Sequence, residues 1–312
     1  MIALTLLAFG LAGLWVGTLL AVRGAVGLSE RFGLSHGFIG LAVLAVGTDL
    51  PELVVAINGA IKEVGGVDAS GMIVGSAVGS AVVQGSVVLG VAGLVGYLPA
   101  GPRMVRRYGT TLLLSVGLVA VLLFDGVASR VDGLVMVLVY GVYFAALFRL
   151  ERTEEVAAEL PKPSRLSPTQ ATVIGMGIVV LCAHMVIEGG LALAEALGMS
   201  QTLLAVIFVS AGTSLPELAL SVRAAAERHG SLSVGNVIGS NIFDLLVPVG
   251  VAALIHPLRV SRETIYYDLP AVALVTVVLG VFLTRRRGLQ RTEAIVLIAI
   301  YLGYVVLRVA TA

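Results

Sequence analysis

Residues 47–60 read GTDLPELVVAINGA and residues 212–225 read GTSLPELALSVRAA, with seven of fourteen positions identical. Each stretch lies inside a long apolar run, yet each holds a glutamate, a proline and a glycine. The first, extended to AVGTDLPELVVA (45–56), adds a second carboxylate at Asp49. Proline inside a helix removes one backbone hydrogen bond and clashes with the carbonyl four residues back. Pro51 and Pro216 therefore free the carbonyls of Gly47 and Gly212, and glycine at those positions lets the backbone bend further. The expectation is two broken helices, each presenting carbonyl oxygens beside a glutamate.

The likeness extends in both directions. Upstream, at the same offset of 165 residues, Glu30 and Gly33 fall opposite Glu195 and Gly198. Downstream, GSAVGSAVVQ (75–84) pairs with GNVIGSNIFD (235–244) at an offset of 160, sharing two glycines and a serine. The five-residue difference falls in the loop around Lys62 to Gly66.

Of the 312 residues, 58% are hydrophobic and 12% charged, with a mean hydropathy of +1.04. Soluble domains carry about 25% charged residues, so the chain reads as an integral membrane protein with the lipid bilayer as its solvent. Its 38 glycines fit, because small residues let transmembrane helices approach closely. A net charge of +1 and the lack of a basic patch interleaved with aromatics give no nucleic-acid partner. The lone cysteine, Cys182, excludes an internal disulfide. Neither HExxH nor GxxxxGK[ST] occurs, and no cofactor is expected. The start, MIALTLLAFG, lacks the basic region of a signal peptide and reads as a retained first span.

A spanning helix needs about 20 mostly apolar residues. Ten segments qualify, at roughly 2–27, 36–61, 70–98, 107–125, 131–148, 168–197, 201–226, 231–256, 266–284 and 292–309. With both termini outside the cell membrane, fifteen Lys and Arg residues fall on the inner side and five on the outer, as the positive-inside rule asks. Residues 149–167 form the one charged, proline-bearing connection of any length and read as a cytoplasmic linker. They separate a first half, 1–148, from a second, 168–312. Each half holds five spans, an odd number, so the second enters the membrane from the opposite side. The expected fold is an all-α integral membrane protein of ten transmembrane helices in two inverted five-helix repeats. Such architectures place substrate at the midplane, where discontinuous helices of the two halves meet.

Backbone left unpaired at that depth survives where it lines a polar cavity or coordinates something. A buried carboxylate costs several kcal/mol unless paired. A hard cation removes both costs together, and calcium takes six to eight oxygens from carboxylates, carbonyls and water. Glu52 and Glu217 offer two negative charges, and Thr48 and Thr213, one turn earlier, add oxygens. Ser80, Gln84, Ser240 and Asp244 face the same region if the second pair of motifs packs against the first. A plain helix kink with a packed glutamate would account for one copy, but not for two in inverted halves.

GTSLPEL (212–218) with GNVIGSNIFD (235–244), preceded by IEGGLALAEALGMS (187–200), resembles the cation/calcium antiporter superfamily, most closely the prokaryotic sodium/calcium exchangers. The resemblance covers nearly the whole chain. It implies a ten-helix antiporter, functional as a monomer, with four central cation positions that exchange sodium for calcium by alternating access. Glu52 and Glu217 would be ligands shared by both ions. Thr48 and Thr213 would give carbonyl oxygens to calcium, and Gln84 and Asp244 would flank the middle position. The carbonyls of Ala45 and Ser210 with the hydroxyls of Ser80 and Ser240 would complete two sodium positions. The first and sixth spans would slide across the core as gates.

The first half departs from the family pattern. Asp49 stands where the second half has Ser214, Gln84 replaces an asparagine or aspartate, and Ser210 replaces an alanine. Both asparagines of GNVIGSNIFD are missing from GSAVGSAVVQ. Asp49 is a candidate further ligand, and a fourth carboxylate opens proton/calcium exchange as an alternative to sodium coupling. A carboxylate-lined cation channel and an intramembrane enzyme are weaker alternatives, because the chain carries its own two-fold site and no nucleophile or metal triad. Arg23 and Glu188 read as interfacial anchors, and His184 as a locally satisfied polar group.

Overall fold

The computed structural model describes residues 2–31, 45–151, 166–228 and 230–311. Eight helices there are long and apolar enough to cross a membrane, and a ninth crossing is the bent pair Gln201–Thr213 and Leu215–Ala226. The first part of the expected second span, through residue 44, and residues 152–165 of the expected linker lie outside the described residues.

The helices are α1 (Ile2–Arg31), α2 (Ala45–Thr48), α3 (Leu50–Val64), α4 (Ser70–Val83), α5 (Leu89–Val95), α6 (Pro102–Met104), α7 (Thr110–Leu122) and α8 (Arg130–Glu151). They continue with α9 (Pro168–Leu197), α10 (Gln201–Leu204), α11 (Ser210–Thr213), α12 (Leu215–Ala226), α13 (Gly230–Ile255), α14 (Leu269–Arg286) and α15 (Arg291–Ala310). Four single π-helical turns, Gln84–Val88, Val105–Gly109, Ala205–Val209 and Thr264–Asp268, join or precede these helices. Such turns widen the backbone ring by one residue and occur often at functional sites.

The expectation of an all-α chain needs one correction. Two short antiparallel ribbons are present, β1 (Leu98–Pro99) with β4 (Gly288–Leu289) and β2 (Val127–Ala128) with β3 (Leu258–Arg259). Each ribbon ties a segment of the first half to one of the second. Two residues per strand leave no hydrophobic alternation to read, so these ribbons carry no periodic signal. β1 and β3 lie 160 residues apart, the same spacing as the second motif pair.

The chain places two spans at the centre. In both Ser70–Val95 and Gly230–Ile255, 78% of the apolar window is buried, against 17–39% in the other continuous spans. α4 and α13 are therefore the inner elements, and the remaining helices shield them. Pro248 sits inside α13 without ending it.

α1 and α9 make the most extensive helix contact of the fold. Gly10 faces Cys182 and Val186, Gly17 faces Ile178 and Val179, and Gly24 faces Pro168 and Thr172. Rising numbers on one helix meet falling numbers on the other, so the two run antiparallel. Glycine keeps the backbones close enough to touch, the usual basis of tight helix pairs in lipid. A Cβ on Gly175 would collide with the Ala21 backbone and stand 2.8 Å from the Gly17 carbonyl oxygen, whereas one on Gly177 would meet nothing within 4 Å. Gly175→Val should therefore destabilise the purified protein by about 1–3 kcal/mol through overpacking, while Gly177→Val should leave it unchanged. Thermal unfolding in detergent measures both, and equal stability of the two variants would contradict this helix interface.

Candidate cation site

The two GTxLPE motifs fold as the sequence requires. Helix α2 stops at Thr48 and α3 restarts at Leu50, with Asp49 between them at φ −85°, ψ 4°. The second copy breaks at Ser214 with φ −83°, ψ 8°, and its two parts bend by 46°. In both, proline takes a place in the first turn of the restarted helix, where its missing N–H costs nothing. The glutamate follows directly, so Glu52 and Glu217 sit at the N-terminal, positive end of a helix. Both are buried, at 1% and 0% exposure.

Helices α4 and α13 supply the other donors. Ser80 Oγ lies 3.2 Å from Glu52 Oε1 and 3.3 Å from Thr213 Oγ1. Gln84 Nε2 donates to Asp244 Oδ2 at 2.8 Å and reaches Ser214 Oγ at 3.5 Å. Asn241 Nδ2 donates to the Ala81 carbonyl at 3.2 Å, locking α13 to α4 beside these groups. Thr48 approaches Glu217 and Ser240 approaches Asp49. Most of these links cross between the halves. The π-turn that starts at Gln84 and the one that ends just before Ser210 flank the cluster.

Four carboxylates thus share one buried region. Glu217 lies in the field of Glu52 and Asp49, and Asp244 in the field of all three. Asp49 and Asp244 are buried as completely as the glutamates. Many of the oxygens have no hydrogen-bond partner: Asp49 Oδ1, Glu52 Oε2, Gln84 Oε1, both Glu217 oxygens, Ser240 Oγ and Asp244 Oδ1. Buried polar atoms are normally satisfied, so this concentration marks a place built to bind something positive. Among the described residues, no three His, Cys, Asp or Glu side chains form a compact metal cluster by themselves. The donor set is instead mixed, with carboxylates, hydroxyls and an amide oxygen spread over four helices, which suits hard cations and excludes soft ones.

The structure brings together Thr48, Asp49, Glu52, Ser80, Gln84, Thr213, Glu217, Ser240 and Asp244. Ser210 is buried nearby and its carbonyl accepts from Thr213 Oγ1 at 3.3 Å, while its hydroxyl bonds back to the Val206 carbonyl. Ala45, whose carbonyl the family resemblance nominates, opens α2. Glu188 is more than an anchor: it ion-pairs with Lys62 across α9 and α3, with His184 Nε2 3.9 Å away. Sequence reasoning also missed a buried cluster outside the site. Asp268 accepts from Tyr304 Oη and pairs with Arg308 Nε, each at 2.7 Å. Arg308, one of the five basic residues that the positive-inside count assigns to the outer side, is only 1% exposed. The usable signal was a carboxylate inside an apolar span, which is rarely without a partner.

A family model described as sodium/calcium exchanger protein matches residues 2–149 and 168–310. Similar curated proteins include the sodium/calcium exchanger MaX1 of Methanosarcina acetivorans, 28% identical over 96% of this chain and 97% of its own. The putative antiporter CaxA of Alkalimonas amylolytica is 30% identical over 91% of each chain. Among solved structures, the sodium-calcium exchanger NCX_Mj soaked with sodium and strontium is 26% identical, with a TM-score of 0.67 over 98% of this chain and 99% of that one.

Buried carboxylates with unpaired oxygens destabilise a fold until a cation neutralises them. Adding calcium to the purified protein should raise its melting temperature, by the equivalent of about 2.7 kcal/mol at a hundred times the dissociation constant. Glu52→Gln and Glu217→Gln should each abolish that shift and leave the ion-free protein as stable as before or more so. A calcium shift retained in either variant would remove that glutamate from the site.

Proposed function

The chain belongs to the sodium/calcium exchanger protein family, and on that premise we propose that it is a secondary antiporter exchanging sodium for calcium by alternating access. The observation that carries the reading is the set of unpaired oxygens on four buried carboxylates where the two broken helices meet. Calcium binds between Glu52 and Glu217, whose two charges match its own, with Thr48 and Thr213 contributing backbone oxygens. Sodium replaces it at positions built from the Ala45 and Ser210 carbonyls with Ser80 and Ser240. Gln84 and Asp244 flank the middle, and Asp49 adds a ligand beside Ser240.

The fold behind this is ten helices in two inverted halves, 1–148 and 168–312, joined by a cytoplasmic linker at 149–167. Three observations support it: the two breaks at Asp49 and Ser214 with matching dihedrals, the two ribbons related by a common spacing, and the antiparallel run of α1 on α9. α1 and α9 slide as one unit over the core and expose the site first to one side and then to the other. Both termini face outward, following the arginine distribution, and a single copy of the chain suffices. The protein performs no covalent chemistry; calcium and sodium are its cargo.

One observation favours a second reading of the driving ion. Asp49 gives the site a carboxylate that the other half lacks, so protons in place of sodium would also balance its charge. Calcium flux into proteoliposomes separates the two. Sodium-driven exchange predicts calcium uptake that follows an imposed sodium gradient at fixed pH and survives a protonophore. Uptake that ignores sodium and collapses with the protonophore would establish the second reading. Asp49→Ser makes the two breaks alike; we expect calcium exchange to persist with altered cation dependence. Unchanged dependence would place Asp49 outside the ion path.

A further inference from the structure

A groove of about 790 Å³ opens between the start of α7 and the second half of α14, and none of the site residues lines it. Its walls are apolar, with Leu112 and Leu113 on one side and Val277, Leu279 and Leu283 on the other. The space exists because glycine stands in both walls. A Cβ on Gly280 would meet nothing within 4 Å, and one on Gly109 would touch only Val105 of its own turn. Leu113 and Val277 are about half exposed here, as side chains that face lipid tails would be.

The groove ends among arginines. Arg106, Arg285 and Arg287 line the mouth, all three are exposed, and none belongs to an ion pair among the described residues. Arg287 carries a further mark. It ends α14 with φ +54°, a left-handed conformation in which helices normally place glycine. A side chain there is strained, and such strain persists where the surroundings enforce it. The surroundings are the first ribbon: the Arg287 carbonyl accepts from Tyr97 Oη and Ala100 N, each at 2.9 Å. The fold thus holds an arginine, at a cost, where a glycine would relax the turn.

We propose that this groove binds one anionic phospholipid, its phosphodiester held by Arg106, Arg285 and Arg287 and one acyl chain lying along Gly109 and Gly280. Guanidinium groups match phosphate oxygens two at a time, and basic pockets between transmembrane helices on the positive side select acidic headgroups. An acidic peptide would satisfy the arginines but has no use for an apolar groove open to lipid. The wall includes Ile238, two residues before Ser240 in α13, so the bound chain touches the helix that carries half of the ion site. The inference depends on the helices spanning the bilayer and is independent of which ions are carried.

Native mass spectrometry of the full chain in neutral detergent tests it, with phosphatidylglycerol, phosphatidylcholine and inorganic phosphate offered separately. The wild type should retain one phosphatidylglycerol at least about tenfold better than phosphatidylcholine and should retain no phosphate. Combined Arg106→Gln, Arg285→Gln and Arg287→Gln should erase the preference, and the exposed position of all three keeps the fold out of question. Arg262→Gln, an exposed arginine on the opposite side, should change nothing. Gly280→Phe should lower retention of both lipids. A preference that survives the triple substitution, an equal loss in Arg262→Gln, or phosphate bound as well as the lipid would overturn the proposal.

Discussion

Four carboxylates buried in an apolar molecule, with no buried basic side chain beside them among the described residues, are the constraint from which everything else follows. Among the described residues the one buried basic side chain is Arg308, and it is committed to Asp268. Among the described residues, Glu52, Glu217, Asp244 and Asp49 therefore have no buried basic side chain to neutralise them, and their charge must be met by bound cations or by protons. In a medium of low dielectric the energy of leaving them bare exceeds any packing gain nearby. Positive charge that comes from outside, as a cation or a proton, can also leave again. A transporter's site needs both properties.

The rest of the architecture supports that site. Broken helices aim N-terminal dipoles and backbone oxygens inward. Buried α4 and α13 lock to each other through Asn241 and the Ala81 carbonyl, which keeps the serine and amide donors in register with the glutamates. The ribbons tie segments of the two halves together. The glycine-lined contact of α1 with α9 packs those two helices tightly together, as the proposed sliding of the pair as one unit requires. Among the described residues, Lys62 and Glu188 form an ion pair joining α9 to α3, a contact that the proposed sliding must break or carry along.

Much of this was legible in the sequence, for local reasons. Proline four residues after the glycine of each GTxLPE stretch breaks the helix there, and a glutamate directly behind it is too costly to be accidental. The duplication turned one odd stretch into a two-fold site. What stayed hidden depends on distance along the chain or on backbone detail. Asp268 and Arg308 lie on different helices, and Arg308, in the last turn of its span, resembles an ordinary interfacial charge. The π-turns at Gln84 and before Ser210 have no side-chain signature, since they arise from how the helices pack. Lys62 and Glu188 each read as loop or interface charges until the fold set them side by side.

The most direct test is to locate the ion. Crystals of the protein soaked in calcium or strontium should show a single divalent cation bonded by both Glu52 and Glu217, at the 2.3–2.6 Å expected for oxygen ligands of calcium. An ion held by one glutamate alone, or divalent density elsewhere with the two side chains engaged in separate contacts, would contradict the account.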